Sequence, residues 1–166
     1  MATERAAIAL GCNLGDCDTT LEGALTQLDA MPGVRLLARS AWYRSAPVGP
    51  PQPNYLNGCA LLEVLLEPEA LLNRLQEIEV HFGRVRAERW GPRTLDLDLI
   101  LFGGRQLTSE RLELPHPRLR ERAFVLVPLA EIAPDWIDPV SGRNVAELAA
   151  ALTDRGGLER LGETER

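Results

Sequence analysis

Apolar residues along this chain recur with two different periods, which predict short strands interspersed with helices. Three apolar runs are typical of strands, covering Ala6 to Cys12, Val34 to Ser45 and Tyr55 to Leu65. Prolines at positions 47, 50, 51 and 53 separate the second run from the third. Because proline fixes its backbone and lacks an N–H donor, we expect an irregular loop there.

Apolar positions spaced three or four residues apart predict four helices. The first begins after Asp16 or Asp18, either of which can accept hydrogen bonds from the first turn, and it ends at Pro32-Gly33. The second runs from Pro68 to Phe82, with proline in its first turn. The last two helices cover Phe124 to Ile132 and Val145 to Leu152.

The remaining segments predict a hairpin, a corner and a tail. Leu107 to Leu114 alternates enough to pair as a hairpin, with Arg111 in a strand, and Pro115-His116-Pro117 predicts a rigid corner. The charged tail from about residue 156 is expected to be frayed. Helices and strands mix without regular β-α alternation. We therefore expect one α+β domain over residues 1–166, with a largely antiparallel sheet.

Composition excludes several kinds of site. The net charge is −6, and all 18 basic residues are arginine. Without lysine the chain cannot form a Walker-type P-loop, whose lysine reaches the phosphates. The acidic balance argues against nucleic-acid binding, and the sequence shows neither a signal peptide nor an apolar run of membrane-spanning length. We expect a cytoplasmic protein that binds neither nucleic acid nor membrane.

The three cysteines do not form a metal-binding pattern. Cys12, Cys17 and Cys59 lack the paired spacing of a zinc site. We expect them to be reduced and to pack as small apolar side chains, as is usual for intracellular proteins.

The segment from Gly83 to Phe102 joins basic and acidic side chains. Its first half carries Arg84, Arg86, Arg89 and Arg93. Its second half predicts a strand in which Asp96 and Asp98 share one face, with their carboxylates rooted about 6–7 Å apart. That spacing suits hard divalent cations such as Mg²⁺, and arginine suits phosphate oxygens. The segment predicts phosphoryl-type transfer from a nucleotide, although Asp-Leu-Asp taken alone is more often a solvated strand face.

Each of the other candidate site residues can be interpreted as functional or as structural. Tyr55 and Asn57 alternate onto one strand face, where a ring beside an amide suits a planar heterocycle, but such a pair is more often a packing contact. His116 and Arg111 can stabilise charge on a transferred group, or they can be surface charges at a turn. Glu79 lies at the edge of an apolar helix stripe and is either an exposed glutamate or one directed at a ligand or a neighbouring arginine.

The run from Arg84 to Asp98, which contains Glu88-Arg-Trp-Gly-Pro-Arg-Thr-Leu-Asp-Leu-Asp98, resembles the signature of the 6-hydroxymethyl-7,8-dihydropterin pyrophosphokinases of folate synthesis. The resemblance extends from Ala7 to about Trp136. It implies a ferredoxin-like core with helices on both faces of the sheet. It also implies transfer of pyrophosphate from ATP to the hydroxymethyl group of the pterin, giving AMP, with two Mg²⁺ ions held by Asp96 and Asp98. The chain would be a monomer whose product passes to dihydropteroate synthase.

The resemblance further implies roles for individual residues. The catalytic group would be Arg84, Arg93, Asp96 and Asp98. The pterin would contact Ser45, Ala46, Pro47, Val48, Tyr55, Asn57, Trp90 and Phe124. ATP would contact Glu79, Arg84, Arg86, Arg89, Trp90, Arg93, Arg111, His116 and Arg122. One departure is Ala87, which stands where the family often has lysine.

Two other classes of function fit parts of the sequence. A different Mg-dependent nucleotidyl or phosphoryl transferase could share the aspartate pair without binding a pterin. A non-catalytic ligand-binding or interaction module could share the fold. Failure to bind any pterin would favour the former, and metal-dependent ATP binding would count against the latter.

Overall fold

The computed structural model describes residues 3–45, 54–83 and 94–162. The strands are β1 (Glu4–Cys12), β2 (Val34–Arg39), β3 (Tyr43–Ser45), β4 (Tyr55–Val64), β5 (Asp96–Phe102), β6 (Leu107–Thr108), β7 (Glu113–Leu114) and β8 (Glu159–Arg160). The α-helices are α1 (Cys17–Ala30), α2 (Pro68–His81), α3 (Ala123–Ile132) and α4 (Val145–Ala150), and a 3-10 helix covers Leu119–Glu121.

Six of these strands form one sheet, in which β1 lies between β4 and β5. Along its other edge β4 pairs with β2 and then with β3, and β8 pairs with β3 in turn. The strands β6 and β7 form a separate hairpin. All the strand pairings within the described ranges are antiparallel, which confirms the predicted α+β class with a largely antiparallel sheet.

Helices cover both faces of the sheet, as expected. The helices α1 and α2 pack on one face through apolar residues that include Leu21, Leu28, Leu71 and Leu75. The helices α3 and α4 pack on the other face, through residues that include Val125, Leu129, Val145 and Leu148. Asp16 caps α1, since its carboxylate accepts the N–H of Thr19 at 3.3 Å. Within the described ranges, no helix combines the length and apolarity needed to span a bilayer.

The predicted strand from Val34 to Ser45 is wrong as a single element, because residues 40–42 separate β2 from β3. Trp42 is only 1% exposed, and its ring lies over Gly58. The Nε1 of Trp42 donates to Glu22 at 2.8 Å. The hydroxyl of Ser40 accepts the N–H of Cys59 at 2.9 Å. Ser40 still donates its backbone N–H to the carbonyl of Cys59 at 2.9 Å, so the regular pairing with β4 is interrupted around the buried indole.

The prediction of a frayed tail is wrong for residues 159–161. In β8, Glu159 lies opposite Arg44 and Arg160 lies opposite Tyr43. The N–H of Leu161 donates to the carbonyl of Trp42 at 2.9 Å, and the Leu161 side chain is buried. A strand of two charged residues has no apolar period by which the sequence could indicate it.

The expectation of three reduced cysteines is wrong for two of them. Cys12 and Cys17 form a disulfide that joins the end of β1 to the start of α1, whereas Cys59 is free and buried. A turn at Gly15, with a φ of 82°, reverses the chain between the two cysteines. Burial raises the pKa of the Cys59 thiol, so this group stays protonated.

The close approach of Trp42 to Gly58 makes a side chain at position 58 unfavourable. A Cβ there would lie 2.5 Å from the indole Cζ3 and 3.1 Å from the Ser40 hydroxyl. We predict that Gly58→Ala lowers the free energy of unfolding by about 1–3 kcal/mol, the usual effect of overpacking. Urea denaturation measures the change.

Gly104→Ala is the matched control, because a Cβ at position 104 would meet no atom within 4 Å. This variant should unfold within about 0.5 kcal/mol of the original protein. Equal unfolding midpoints for both variants would contradict the packing described for Trp42.

Candidate functional site

One row of residues crosses the sheet and defines the candidate site. Gly11 in β1 lies opposite Asp96 in β5 and opposite Asn57 in β4, which in turn lies opposite Tyr43 in β3. Directly opposed residues project on the same face of a sheet, and neighbouring strands lie about 4.8 Å apart. Asp96 and Asn57 are therefore on one face, roughly 10 Å apart at their Cα atoms. That face is the one on which α3 packs.

Gly11 makes room for the two side chains predicted to share a face. A Cβ at Gly11 would lie 3.4 Å from Asn57 Oδ1 and 3.8 Å from Tyr55 Cδ1. Both side chains therefore lie over the glycine, as the alternation along β4 predicted. The Nδ2 of Asn57 donates to the hydroxyl of Ser45 at 2.7 Å, and Asn57 is 8% exposed. Three residues proposed for one ligand thus lie together.

The two aspartates of β5 lie on the same face as Asn57. Asp98 is exposed and lies opposite Ala9, while Asp96 is half-buried. Between them, Leu97 points to the opposite face and is 4% exposed. In the described ranges, no cluster of three or more potential metal-ligating side chains is present. A metal held here would therefore take at most a few oxygen ligands from the protein and the others from a bound anion or water.

Arg122 and Phe124 bring basic and aromatic groups to this face from the start of α3. Arg122 precedes the first residue of the helix, and its Cζ lies 5.4 Å from the centroid of the Phe124 ring. Burial lowers the pKa of the Arg122 guanidinium, while the charges of Asp98 and Asp96 act to raise it. The guanidinium therefore remains positively charged and interacts electrostatically with both carboxylates.

Glu79 binds the backbone between the two aspartates. Its carboxylate accepts the N–H of Leu97 at 2.8 Å, and the residue is 4% exposed. Because β5 lies at one edge of the sheet among the described residues, an N–H on its outer side meets no strand partner there. The interpretation of Glu79 as an exposed helix glutamate is therefore wrong. The helical period placed it at the edge of the stripe, but only the strand packed against α2 reveals its partner.

The corner at His116 is attached to the same strand. The N–H of His116 donates to the carbonyl of Ile100 at 2.9 Å. Ile100 is the extra residue of a β-bulge, because Leu99 and Leu101 pair with consecutive residues of β1. The imidazole Nδ1 accepts the N–H of Arg118 at 3.1 Å. Burial, and secondarily the charge of Arg122, lower the pKa of His116 to about 4.

Arg111 lies in the loop between β6 and β7, which corrects the prediction that it belongs to a strand. Its Nη2 donates to Asn73 at 2.5 Å and to Gln76 at 3.2 Å, both on α2. Arg111, His116 and Asp98 line one open cavity of about 320 Å³. The structure therefore places these three predicted site residues around a shared space.

The other predicted site residues lie outside the described ranges. They are Ala46, Pro47, Val48, Arg84, Arg86, Arg89, Trp90 and Arg93. Their roles stay predictions. The residue that sequence reasoning missed is Gly11, because its place between Asp96 and Asn57 depends on the register of three strands.

Comparisons with known proteins give consistent matches. The family model for 7,8-dihydro-6-hydroxymethylpterin-pyrophosphokinase (HPPK) matches residues 7–134. The 2-amino-4-hydroxy-6-hydroxymethyldihydropteridine pyrophosphokinase of Synechocystis sp. is 54% identical over 143 residues, which is 86% of this chain and 73% of the relative. The protein of the same name in Methylorubrum extorquens is 48% identical over 158 residues, 95% of this chain and 98% of the relative.

Solved structures share the fold at low sequence identity. The Plasmodium falciparum HPPK-DHPS with pteroate superposes with a TM-score of 0.73 at 11% identity. The match covers 90% of this chain, which spans only 42% of that longer protein. This likeness confirms the expected ferredoxin-like α+β fold.

The bond between Glu79 and Leu97 can be tested by substitution. Glu79→Leu would leave a buried N–H without its acceptor, and we predict a loss of about 1–3 kcal/mol in the free energy of unfolding. Glu79→Gln keeps an accepting oxygen and should lose less. Glu77→Leu, at an exposed position of the same helix, should change stability by less than about 0.5 kcal/mol. Identical urea midpoints for Glu79→Leu and Glu79→Gln would contradict this account.

The protonation of His116 can be followed by NMR. With a pKa lowered from 6.5 to about 4, the folded state favours the neutral ring. The stability from this group is complete above about pH 6.5 and is lost as the pH falls towards 4. We expect the imidazole proton shifts of His116, assigned with a His116→Gln variant, to titrate near pH 4. A midpoint near 6.5 would show that the ring is not buried as described.

Proposed function

The chain belongs to the 7,8-dihydro-6-hydroxymethylpterin-pyrophosphokinase family, and on this premise we propose how its site works. The activity is transfer of pyrophosphate from ATP to the hydroxymethyl group of 6-hydroxymethyl-7,8-dihydropterin, a step of folate biosynthesis. The products are AMP and the pterin diphosphate. The observation that supports it best is the row that sets Asp96 and Asn57 on either side of Gly11.

The nucleotide end of the site is at β5. We propose that Asp96 and Asp98 hold two Mg²⁺ ions, because their carboxylates lie two residues apart on one face and offer the oxygen ligands that Mg²⁺ prefers. When bound, the metal neutralises triphosphate charge and increases the acidity of the attacking hydroxyl. The bond from Glu79 to Leu97 fixes the strand between the two aspartates. Their spacing is thus set before any ligand arrives.

The pterin end of the site is at β4. The bond from Asn57 Nδ2 to Ser45 fixes the amide so that Oδ1 faces the space over Gly11. An amide oxygen held in this way can accept hydrogen bonds from the N–H groups of a planar heterocycle. Tyr55 would stack on one face of that ring and Phe124 on the other. Ala46, Pro47, Val48 and Trp90 are proposed to complete the pocket.

Transfer between the two ends requires stabilisation of charge on phosphate oxygens. Arg122 provides a cation that interacts electrostatically with both aspartates. His116 is neutral near pH 7, and because its Nδ1 accepts from Arg118, its proton is on Nε2. It would therefore act as a hydrogen-bond donor to phosphate and not as a cation. Arg111 lines the same cavity, and Arg84, Arg86, Arg89 and Arg93 are proposed to bind the triphosphate.

We also infer that the enzyme acts as a monomer on its two small-molecule substrates. A transfer of its product to dihydropteroate synthase is supported by solved HPPK-DHPS proteins with the same fold. A cytoplasmic location stays a prediction.

The reaction is tested by AMP release from ATP and Mg²⁺, with and without 6-hydroxymethyl-7,8-dihydropterin. We expect AMP only in the presence of the pterin and of Mg²⁺. Asp98→Ala should lower the rate by more than about a hundredfold, because it removes a metal ligand. Asp135→Ala, an exposed acidic residue away from the site, should retain the full rate.

Other outcomes of this assay would indicate a different reaction, a different acceptor or the absence of the proposed metal site. Formation of ADP in place of AMP would mean phosphoryl transfer. Failure to release AMP with the pterin present would require a different acceptor. An unchanged rate in Asp98→Ala would exclude the proposed metal site.

A further inference from the structure

A cluster of polar groups lies behind the pterin end of the site, and none of the roles above uses it. Glu131, in the last turn of α3, accepts the N–H of Ala41 at 2.9 Å through one carboxylate oxygen. Its other oxygen accepts the hydroxyl of Tyr43 at 2.6 Å. Arg160 of β8 approaches that oxygen at 3.4 Å. One side chain therefore joins α3 to the segment that leads into β3.

The segment held by Glu131 is also held by the buried Trp42 and by the pairing of β3 with β4 and β8, and Glu131 is the side chain that bonds it to α3. The strand β3 is three residues long, and Ala41 lies in the break between β2 and β3. The hydroxyl of Tyr43 donates, because burial, and secondarily Glu131, raise its pKa to about 12. Tyr43 itself is 5% exposed. The position of β3 thus depends on a side-chain contact as well as on its ladder with β4.

Tyr43 is also the last member of the row that crosses the site. It lies opposite Asn57, and two residues later Ser45 receives the Asn57 amide. A shift of β3 relative to β4 would therefore move Ser45 and reorient Asn57. The contact with Glu131 limits such a shift.

The same helix carries the opposite wall of the proposed pterin pocket. Phe124 and Glu131 are seven residues apart in α3, so they lie on nearly the same side of the helix, about 10 Å apart along its axis. The helix packs on β4, where the Sγ of Cys59 lies 3.4 Å from the carbonyl oxygen of Val125. Phe124 and the segment before β3 are thus attached to one rigid element.

We propose that Glu131 and Tyr43 are positioning residues, which fix Phe124 on α3 relative to the Ser45–Asn57 pair of the proposed pterin pocket. The inference rests on the proposed pterin pocket. Neither residue touches the substrate in this account. Both act by holding β3 against α3.

The chain offers graded substitutions at this contact. Glu131→Ala removes both accepting oxygens, and Tyr43→Phe removes the hydroxyl alone. Glu131→Gln is the conservative variant: its Oε1 can accept from Ala41, and its amide can donate to Tyr43, because a phenolic hydroxyl both donates and accepts. Arg160→Gln is the control for the exposed ion pair, since Arg160 is 61% exposed, lies 3.4 Å from Glu131 and also interacts with the Tyr43 hydroxyl.

The measurement is the dissociation constant of 6-hydroxymethyl-7,8-dihydropterin with a saturating non-hydrolysable ATP analogue and Mg²⁺, beside that of the analogue alone. We expect Glu131→Ala to weaken pterin binding about tenfold and Tyr43→Phe about threefold, the effect of lost hydrogen bonds. Glu131→Gln and Arg160→Gln should stay within about twofold. Binding of the ATP analogue should be unchanged in all four.

A double-mutant cycle with Phe124→Ala separates positioning from general stability. If Glu131 acts by placing Phe124, then Glu131→Ala should weaken pterin binding little further once Phe124 is already absent. Full additivity of the two effects would overturn the proposal. So would a lower melting temperature in Tyr43→Phe and Glu131→Ala with unchanged pterin affinity.

Asn57→Ala distinguishes failure of this inference from failure of the proposed pocket. Loss of pterin binding in Asn57→Ala, with normal binding in Glu131→Ala and Tyr43→Phe, would leave the pocket intact and reject the positioning role. Normal binding in Asn57→Ala would reject the pocket itself, and the positioning role with it.

Discussion

The structure depends on the register in which β1 pairs with each of its two neighbours, β5 and β4. Its pairing with β5 fixes which aspartates reach the site face, and its pairing with β4 fixes which face bears the amide. A slip of one residue in either ladder would send Asp96 or Asn57 to the opposite face, among the apolar side chains of α1 and α2. Such a slip is opposed by the apolar residues that alternate with them, since Leu10 and Leu97 would then be exposed.

Charge in the site is distributed among groups of different kinds. Two carboxylates on β5 interact electrostatically with a partly buried guanidinium, while a third carboxylate, on Glu79, accepts a backbone N–H. The histidine of the adjacent corner is kept uncharged by its surroundings. Basic charge for an anionic ligand is thus supplied by arginine, in keeping with a chain that has no lysine. Arginine keeps its charge under partial burial better than lysine does.

Local patterns predicted much of this fold, and long-range contacts explain what they missed. Alternation along β4 and β5 indicated which side chains share a face, and the arginine-rich run before Asp96 indicated the chemistry. Neither pattern could show that β1 lies between those strands, because register is set by tertiary packing. The break at residues 40–42 depends on the glycine under Trp42, and the buried acceptor role of Glu79 depends on a strand edge. These features combine residues far apart in sequence.

The short strand β8 also affects how the sheet ends. Without it, β3 would present unpaired backbone groups beside Tyr43 and Arg44, a template on which a strand of another molecule could add. With it, the outermost strand on that side has two residues, both charged and exposed. A strand so short and so polar is a poor template for intermolecular pairing. The C-terminal segment therefore protects the folded enzyme against edge-to-edge aggregation.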